Sequence, residues 1–186
     1  MPKIALTGAH GTGKTTLTNA VVARFAPTRE TTPSREVPRI LVEHADDSEF
    51  FRRGNNSPVR QLLIMLHQII EDDERRRAAD LVVCDRTLVD HIAYTFVQFR
   101  DAFDGAERAI IIEAARRWIT TYDIVFYVPI EFAVEDDGVR EGDITFQAEI
   151  DKEIVSLYKE IGLETVRVTG SVEARTRAVL DAVTKL

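Results

Sequence analysis

The sequence of 186 residues predicts an α/β fold, a three-layer sandwich in which helices cover both faces of a five-stranded parallel sheet. Three observations favour it. Short apolar runs alternate along the chain with longer segments of helical periodicity. A glycine-rich loop separates the first apolar run from the first helix, and a later apolar run ends in an acidic residue. We expect one domain, residues 1–186, with a small lid at about residues 131–146.

Composition narrows the functional classes. A hydrophobic content of 45% is sufficient for one sizeable core, and the net charge of −7 argues against nucleic acid or a membrane as the main ligand. The single cysteine, Cys84, lies in an apolar run, which excludes an internal disulfide and fits a reducing, cytoplasmic compartment. No apolar run approaches the roughly 20 residues that cross a bilayer. We expect a small-molecule partner, and a homodimer is compatible with the sequence.

The first element is a buried strand, Lys3–Thr7, followed by the pattern G-x-x-x-x-G-K-T from Gly8 to Thr15 and by a helix that continues toward Phe25. Glycines let successive backbone N–H groups converge on a phosphate, and the helix N-terminus adds further donors. The pattern therefore predicts a site for ATP and Mg²⁺. The residues expected to bind the nucleotide are Gly8, His10, Gly11, Thr12, Gly13, Lys14, Thr15 and Thr16.

Two side chains of this loop have distinct expected roles. Lys14 can reach the β- and γ-phosphates as a mobile cation and is a candidate catalytic residue. The Thr15 hydroxyl is a candidate Mg²⁺ ligand. For His10 a phosphate contact and a merely exposed imidazole both stay open.

A second short strand is expected at residues 28–32, ending before Pro33. Residues 35–45 have a helical tendency interrupted by Pro38, and residues 46–56 are polar and typical of a loop. Glu36 and Arg39 follow the strand end directly, where open sheets place ligands, so we expect them to bind the phosphoryl acceptor. A solvated helix start is the alternative.

A long helix is predicted over Pro58–Ala78. Its apolar residues recur at helical spacing, which predicts a stripe facing the core. The stripe comprises Val59, Leu62, Leu63, Leu66, Ile69 and Ile70. Gln68 projects from another face, where its amide could read the edge of a base, although a helix glutamine is more often solvated.

The run Leu81–Asp85 predicts a buried parallel strand whose tip delivers a carboxylate to the site. Asp85 can hold Mg²⁺ through a water or accept a proton from an attacking hydroxyl, so it is both a catalytic and a metal-site candidate. An acid that merely caps the next helix is the alternative. Arg86 is a candidate for binding the acceptor.

Helices are then expected over 88–99 and 106–121, a strand over 123–128, a helix over 146–161, a strand over 164–169 and a helix over 172–186. Residues 131–143 include a mostly polar stretch, residues 135–143, with two glycines and Arg140. Such a segment is typical of a closing lid, and its arginine could stabilise charge on the transferring phosphoryl group. An exposed acidic loop is the alternative.

Several stretches resemble the kinase-like domains grouped with the ribosylnicotinamide kinase half of bifunctional NadR proteins and with the Ttd14 proteins. They comprise residues 7–17, Arg35-Glu36, Val83 to Arg86 with Asp90 and Tyr94, residues 122–126, and residues 137–140. The resemblance implies the strand order of nucleoside and nucleotide kinases, with ATP and Mg²⁺ at the loop. It also implies that Asp85 faces the acceptor hydroxyl, that Arg86 faces the acceptor or its phosphate, and that residues 137–140 belong to the lid.

These observations predict an ATP- and Mg²⁺-dependent kinase that transfers the γ-phosphoryl group to a hydroxyl or phosphate of a small nucleoside- or nucleotide-like acceptor. The alternative is a nucleotide-binding switch or regulatory ATPase or GTPase without such an acceptor. The chain contains neither N-K-x-D nor D-x-x-G, which would read guanine and couple a γ-phosphate to a switch. Arg86 also stands where motor ATPases carry a water-activating glutamate.

Overall fold

The structure is a computed structural model that describes residues 2–34, 57–131 and 141–186. The strands in these ranges are β1 (Lys3–Thr7), β2 (Thr31–Ser34), β3 (Leu81–Asp85), β4 (Ile124–Tyr127) and β5 (Val166–Arg167). The helices in these ranges are α1 (Lys14–Phe25), α2 (Pro58–Ala78), α3 (Leu88–Gln98), α4 (Gly105–Ile119), α5 (Glu141–Ile161) and α6 (Val172–Val183).

The five strands form one parallel sheet in the order β2-β3-β1-β4-β5. The predicted α/β sandwich is therefore confirmed. Because β1 lies between β3 and β4, the glycine loop leaves the centre of the sheet, where parallel sheets bind ligands beyond their carboxyl ends. Leu6 is in register with Asp85, so the tip of β3 lies beside the start of the loop.

Alternating residues of the central strands support two separate cores. Ile4 and Leu6 pack in one hydrophobic cluster with residues of α1 and α6. Ala5 and Cys84 belong to the other cluster, which is formed with α2, α3, α4 and α5. The sheet is thus covered on both sides, which holds the strand ends rigidly in place.

Strand β2 begins and ends later than expected, at Thr31–Ser34, and it includes Pro33. Proline cannot donate to a strand ladder, which favoured a strand that stops before it. However, β2 is the edge strand of the sheet, so Pro33 costs no hydrogen bond on the open side. The shift places Ser34, which is completely buried, at the strand end.

The predicted core stripe of α2 is wrong for much of its length. Val59, Leu62, Leu66 and Ile70 are 61%, 38%, 56% and 52% exposed. The residues of α2 that are buried instead are Gln61, Ile64, Met65, Gln68 and Asp72. Both sets recur at helical spacing, so periodicity alone did not choose between them. The Asp72 carboxylate accepts hydrogen bonds from Ser34 of the sheet and from Tyr122, and these bonds hold its face of the helix inward.

Two boundaries near the predicted lid differ from expectation. Helix α5 begins at Glu141, five residues before the expected start at Phe146, so the C-terminal part of the expected lid is helical. Strand β5 is only Val166–Arg167. No helix in the described ranges is long and apolar enough to cross a membrane.

Candidate functional site

The glycine loop starts in close contact with β4. Gly8 has φ 146°, and a Cβ built on it would lie 2.3 Å from the carbonyl oxygen of Val128. A contact that short is impossible for a real side chain, so only glycine fits this position. The loop therefore leaves the sheet without a side chain between its backbone and the neighbouring strand.

The loop ends at the N-terminus of α1, where Gly13 is the N-cap residue with φ 86°. The side chain of Lys14 is buried and folds back into the loop. Its ammonium donates to the carbonyl of Ala9 at 2.5 Å and lies 3.4 Å from the Thr12 hydroxyl. Thr12 also donates to the Ala9 carbonyl, at 3.0 Å. The Lys14 ammonium thus lies within the loop, at the N-terminus of α1. A cation next to the N–H donors of a helix N-terminus is an arrangement suited to binding a phosphate group.

Thr15, in the first turn of α1, meets Asp85 at the tip of β3. The Thr15 hydroxyl donates to Oδ2 of Asp85 at 2.6 Å across 70 residues of sequence. A hydroxyl and a carboxylate are both oxygen ligands that Mg²⁺ accepts, and this ion usually keeps several waters. The pair therefore fits the predicted metal site, although the described residues contain no cluster of three or more His, Cys, Asp or Glu that could hold a metal.

Asp90, in the first turn of α3, organises the base of the loop. Its carboxylate is completely buried and accepts from the Thr7 hydroxyl at 2.9 Å and from the backbone N–H of Gly8 at 3.0 Å. It also accepts from the backbone and hydroxyl of Thr87, which completes the capping box of α3. One carboxylate therefore joins the start of the glycine loop to the start of α3.

His10 contacts α3 and α5. Its backbone N–H donates to the Tyr94 phenol oxygen at 3.1 Å, and its Nδ1 lies 2.8 Å from the same oxygen. Burial raises the pKa of Tyr94, so this phenol keeps its proton and can donate it to Nδ1. Gln147 donates to the carbonyl of His10 at 2.6 Å. The middle of the loop is thus held by α3 and α5, two helices that are far from it in the sequence.

Arg86 has an unusual backbone. Its φ is 97°, the only positive value outside glycine in the described residues, and its N–H donates to the Leu6 carbonyl at 3.1 Å. Its buried guanidinium lies over the ring of Tyr94, 5.2 Å from the centroid. A strained, non-glycine residue between β3 and α3 supports a functional role for this turn.

The remaining predicted residues lie in different settings. Gly11, with φ 73°, and Thr16 are exposed at the loop. Gln68 is completely buried, and its amide donates to Asp72 at 2.8 Å while its oxygen lies 3.2 Å from Nε2 of His91. Contact with an acceptor would require those bonds to break. Glu36, Arg39, Arg140 and most of the predicted lid lie outside the described residues.

One set of contacts that holds the loop was not predicted from the sequence. Arg175 of α6 is buried and donates to the Thr12 carbonyl at 2.9 Å and to Glu131 at 2.6 Å. Residues so distant in sequence carry no shared motif, so no sequence signal pointed to them. The same holds for Gln147, whereas Asp90 followed the strand tip closely enough to be noticed.

A family described as an AAA domain matches residues 3–175. The chain belongs to this family. No curated protein matches the chain.

Solved structures of a deoxyadenosine kinase from M. mycoides have a similar fold. The structure with the products dCMP and a flexible dCDP bound has a TM-score of 0.63 at 15% identity, over 99% of this chain and 100% of the other. The one with bound dATP has a TM-score of 0.62 at 14% identity, over 98% and 99%. At such identity the likeness concerns the fold, which is that of a nucleoside kinase-like P-loop protein.

Proposed function

We propose that the chain is an ATP- and Mg²⁺-dependent kinase that transfers the γ-phosphoryl group to a hydroxyl or phosphate of a small nucleoside- or nucleotide-like acceptor. The carrying observation is the 2.6 Å hydrogen bond between Thr15 and Asp85 beside the buried Lys14. A hydroxyl, a carboxylate and a lysine ammonium thus lie together beside the glycine loop, which supports the proposal. The similarity in fold to a deoxyadenosine kinase supports the same assignment.

On the donor side, the backbone of the glycine loop and Lys14 bind the β- and γ-phosphates. Among the other loop positions we propose nucleotide contacts for His10, Gly11 and Thr16. Thr15 and Asp85 hold Mg²⁺, which when bound neutralises charge on the phosphates. Asp85 alternatively accepts the proton of the attacking hydroxyl, and its place at the strand tip is compatible with either role.

On the acceptor side, we assign Arg86 to the acceptor or its phosphate because its backbone is strained and its guanidinium lies over Tyr94, whose phenol contacts His10 of the loop. Glu36 and Arg39 stay predicted acceptor residues, and Gln68 stays one only if its buried amide is released. Arg140 stays the predicted cation of a lid within about residues 131–146. Phosphoryl transfer depends on positioning and charge neutralisation, which these residue types supply.

We further propose a single domain over residues 1–186 that acts in the cytoplasm on a small molecule rather than on nucleic acid or a membrane. A homodimer is compatible with this function. Within the family, the resemblance to the ribosylnicotinamide kinase half of NadR and to Ttd14 stays a prediction.

The test is a coupled assay of ADP release with MgATP over a panel of nucleosides and nucleoside monophosphates. We expect at least one acceptor to increase turnover well above the acceptor-free rate. Lys14→Met should lower that rate by about 10³-fold or more, because the phosphates lose their cation. Lys159→Met, at an exposed position of α5, is the matched control and should retain full activity.

Turnover no faster than the acceptor-free blank across the panel, in protein that binds MgATP, would reject the kinase and favour the nucleotide-binding switch. Equal loss in the Lys14 and Lys159 variants would reject the assigned role of the loop. Preference for GTP over ATP in a thermal-shift titration would also favour the switch.

A further inference from the structure

The guanidinium of Arg175 connects three separate segments around the glycine loop. Its Nη1 donates to the Thr12 carbonyl at 2.9 Å, and its Nη2 donates to Oε2 of Glu131 at 2.6 Å. The same oxygen of Glu131 accepts from the backbone N–H of Gly170 at 2.8 Å. Arg175, Glu131 and Thr12 form what we call the loop brace, which joins the glycine loop, the segment that follows β4 and the turn before α6.

The brace acts on one particular peptide. The Thr12 carbonyl and the Gly13 N–H belong to the same planar trans peptide and point in opposite directions. Because the carbonyl is held toward Arg175, the Gly13 N–H is held away from it. Gly13 has φ 86°, and a Cβ built there would lie 3.8 Å from Nη1 of Arg175, so the guanidinium lies directly against this residue. A glycine peptide rotates easily, and an external contact is needed to give it one orientation.

The charge of Arg175 is directed to Glu131. The arginine is only 4% exposed, and a buried guanidinium is costly unless it is paired. Its hydrogen bond, more than the N–H of Gly170, lowers the pKa of Glu131 below its usual value. An arginine whose donors are directed to a carboxylate and a carbonyl is suited to orient the loop backbone.

We propose that Arg175, itself held by Glu131, is a positioning residue that fixes the Thr12–Gly13 peptide so that the Gly13 N–H is directed at a bound phosphate. This inference rests on the proposed function, because it assigns the phosphate to a nucleoside triphosphate. Glu131 follows the end of β4 and is the first residue of the predicted lid at about residues 131–146. The brace thereby links the position of that strand end to the shape of the phosphate site.

The experiment uses the full chain and MgATP as the probe, and it compares Arg175→Lys with Arg177→Lys. Both arginines lie on α6, but Arg177 is exposed and touches neither the loop nor Glu131 in the described structure. A lysine cannot reproduce the two-pronged contact. We expect Arg175→Lys to weaken MgATP binding about tenfold in calorimetry and to increase the KM for ATP similarly, whereas Arg177→Lys changes neither. Glu131→Gln, which keeps Arg175 in place, should weaken binding about threefold.

A second measurement separates positioning from folding. In nucleotide-free protein, the amide resonance of Gly13 should shift in Arg175→Lys and not in Arg177→Lys. If both variants bind MgATP as tightly as the wild type and the Gly13 resonance is unchanged, the positioning role is wrong and the proposed function stands. If Arg175→Lys lowers only the melting temperature, the brace is merely structural. If the wild type itself neither binds MgATP nor transfers phosphate, the proposed function is what fails.

Discussion

Asp72 and Asp90 are both completely shielded from solvent, yet they do different things. Asp72, on the buried face of α2, accepts from side chains of the described residues: Ser34 at 2.5 Å, Gln68 at 2.8 Å and Tyr122 at 2.6 Å. Asp90, beneath the glycine loop, accepts from the backbone of Gly8 and Thr87 as well as from two hydroxyls. The first network fastens a helix to the sheet, whereas the second shapes main chain that is expected to hold a ligand.

Burial and hydrogen bonding alone therefore do not identify a functional carboxylate. A buried polar network that satisfies itself contributes specificity to the core. A buried polar network that is directed at the backbone of a loop instead fixes the N–H groups of that loop, which is expected to bind a ligand. Substitutions in the two networks should therefore separate loss of stability from loss of nucleotide binding.

The largest effect on stability is expected for Asp72→Ala, because three buried donors lose their acceptor at once. We expect the free energy of unfolding to fall by about 3 to 5 kcal/mol. Urea unfolding followed by the fluorescence of Trp118, the single tryptophan, measures it. Asp73→Ala is the matched control, since Asp73 is 44% exposed and pairs with Arg77, and it should cost less than about 1 kcal/mol. A similar loss in both variants would contradict the network, as would weaker MgATP binding by folded Asp72→Ala.

Asp90→Asn should reduce both stability and binding. The amide keeps one acceptor but loses the charge and the second oxygen, so we expect about 2 kcal/mol of lost stability and about tenfold weaker MgATP binding. Denaturant unfolding and calorimetry measure the two effects. Asp104→Asn removes charge from an exposed capping box on α4, so it should leave nucleotide binding unchanged. Unchanged affinity in Asp90→Asn would show that the Gly8 contact does not shape the site.

Tyr94→Phe tests the middle of the loop with a smaller change. It removes the hydrogen bonds to the His10 backbone and imidazole while it keeps the ring, so MgATP should bind about fivefold more weakly, or about 1 kcal/mol. Tyr122→Phe is the counterpart in the Asp72 network. It should lower stability by about 1 to 2 kcal/mol with no effect on nucleotide affinity. If the two phenylalanine variants have the same profile, the contrast between the networks is wrong.

The smallest expected effect is a pH dependence at Glu131. Its pKa is lower in the folded protein than its ordinary value of 4.5, chiefly because Arg175 donates to it. The stabilisation is therefore complete above the unfolded pKa and is lost as the pH falls through the folded one. Wild type should melt above Glu131→Gln near neutral pH, and the difference should shrink below about pH 4. In an Arg175→Met background the difference should be smaller at every pH, and a persistent difference would assign it to another partner.

Much of the fold was predictable because it depends on local patterns. The apolar runs at β1 and β3, the helices between them, and the glycine loop each follow from a few neighbouring residues. The interior face of α2 did not follow from neighbouring residues, because the residues on two faces of that helix recur at the same helical spacing. The end of β2 was predicted wrongly because of Pro33. The free-energy cost of a proline in a strand depends on whether that strand lies at an edge of the sheet.

For the candidate site, the residues proposed to bind the phosphoryl donor were predictable from the sequence: a loop of G-x-x-x-x-G-K-T, with Lys14 and Thr15 at fixed positions in it, and an acid that follows an apolar run. The residues that surround that loop are known from the packing of the fold alone. Asp90 reaches Gly8 across 82 residues and Arg175 reaches Thr12 across 163. Motifs record what a short stretch of backbone requires, whereas contacts over such separations depend on how the sheet and helices pack. The glycine loop is thus predicted from the sequence as a phosphate site, whereas its contacts with α3, α5 and α6 are visible only in the fold.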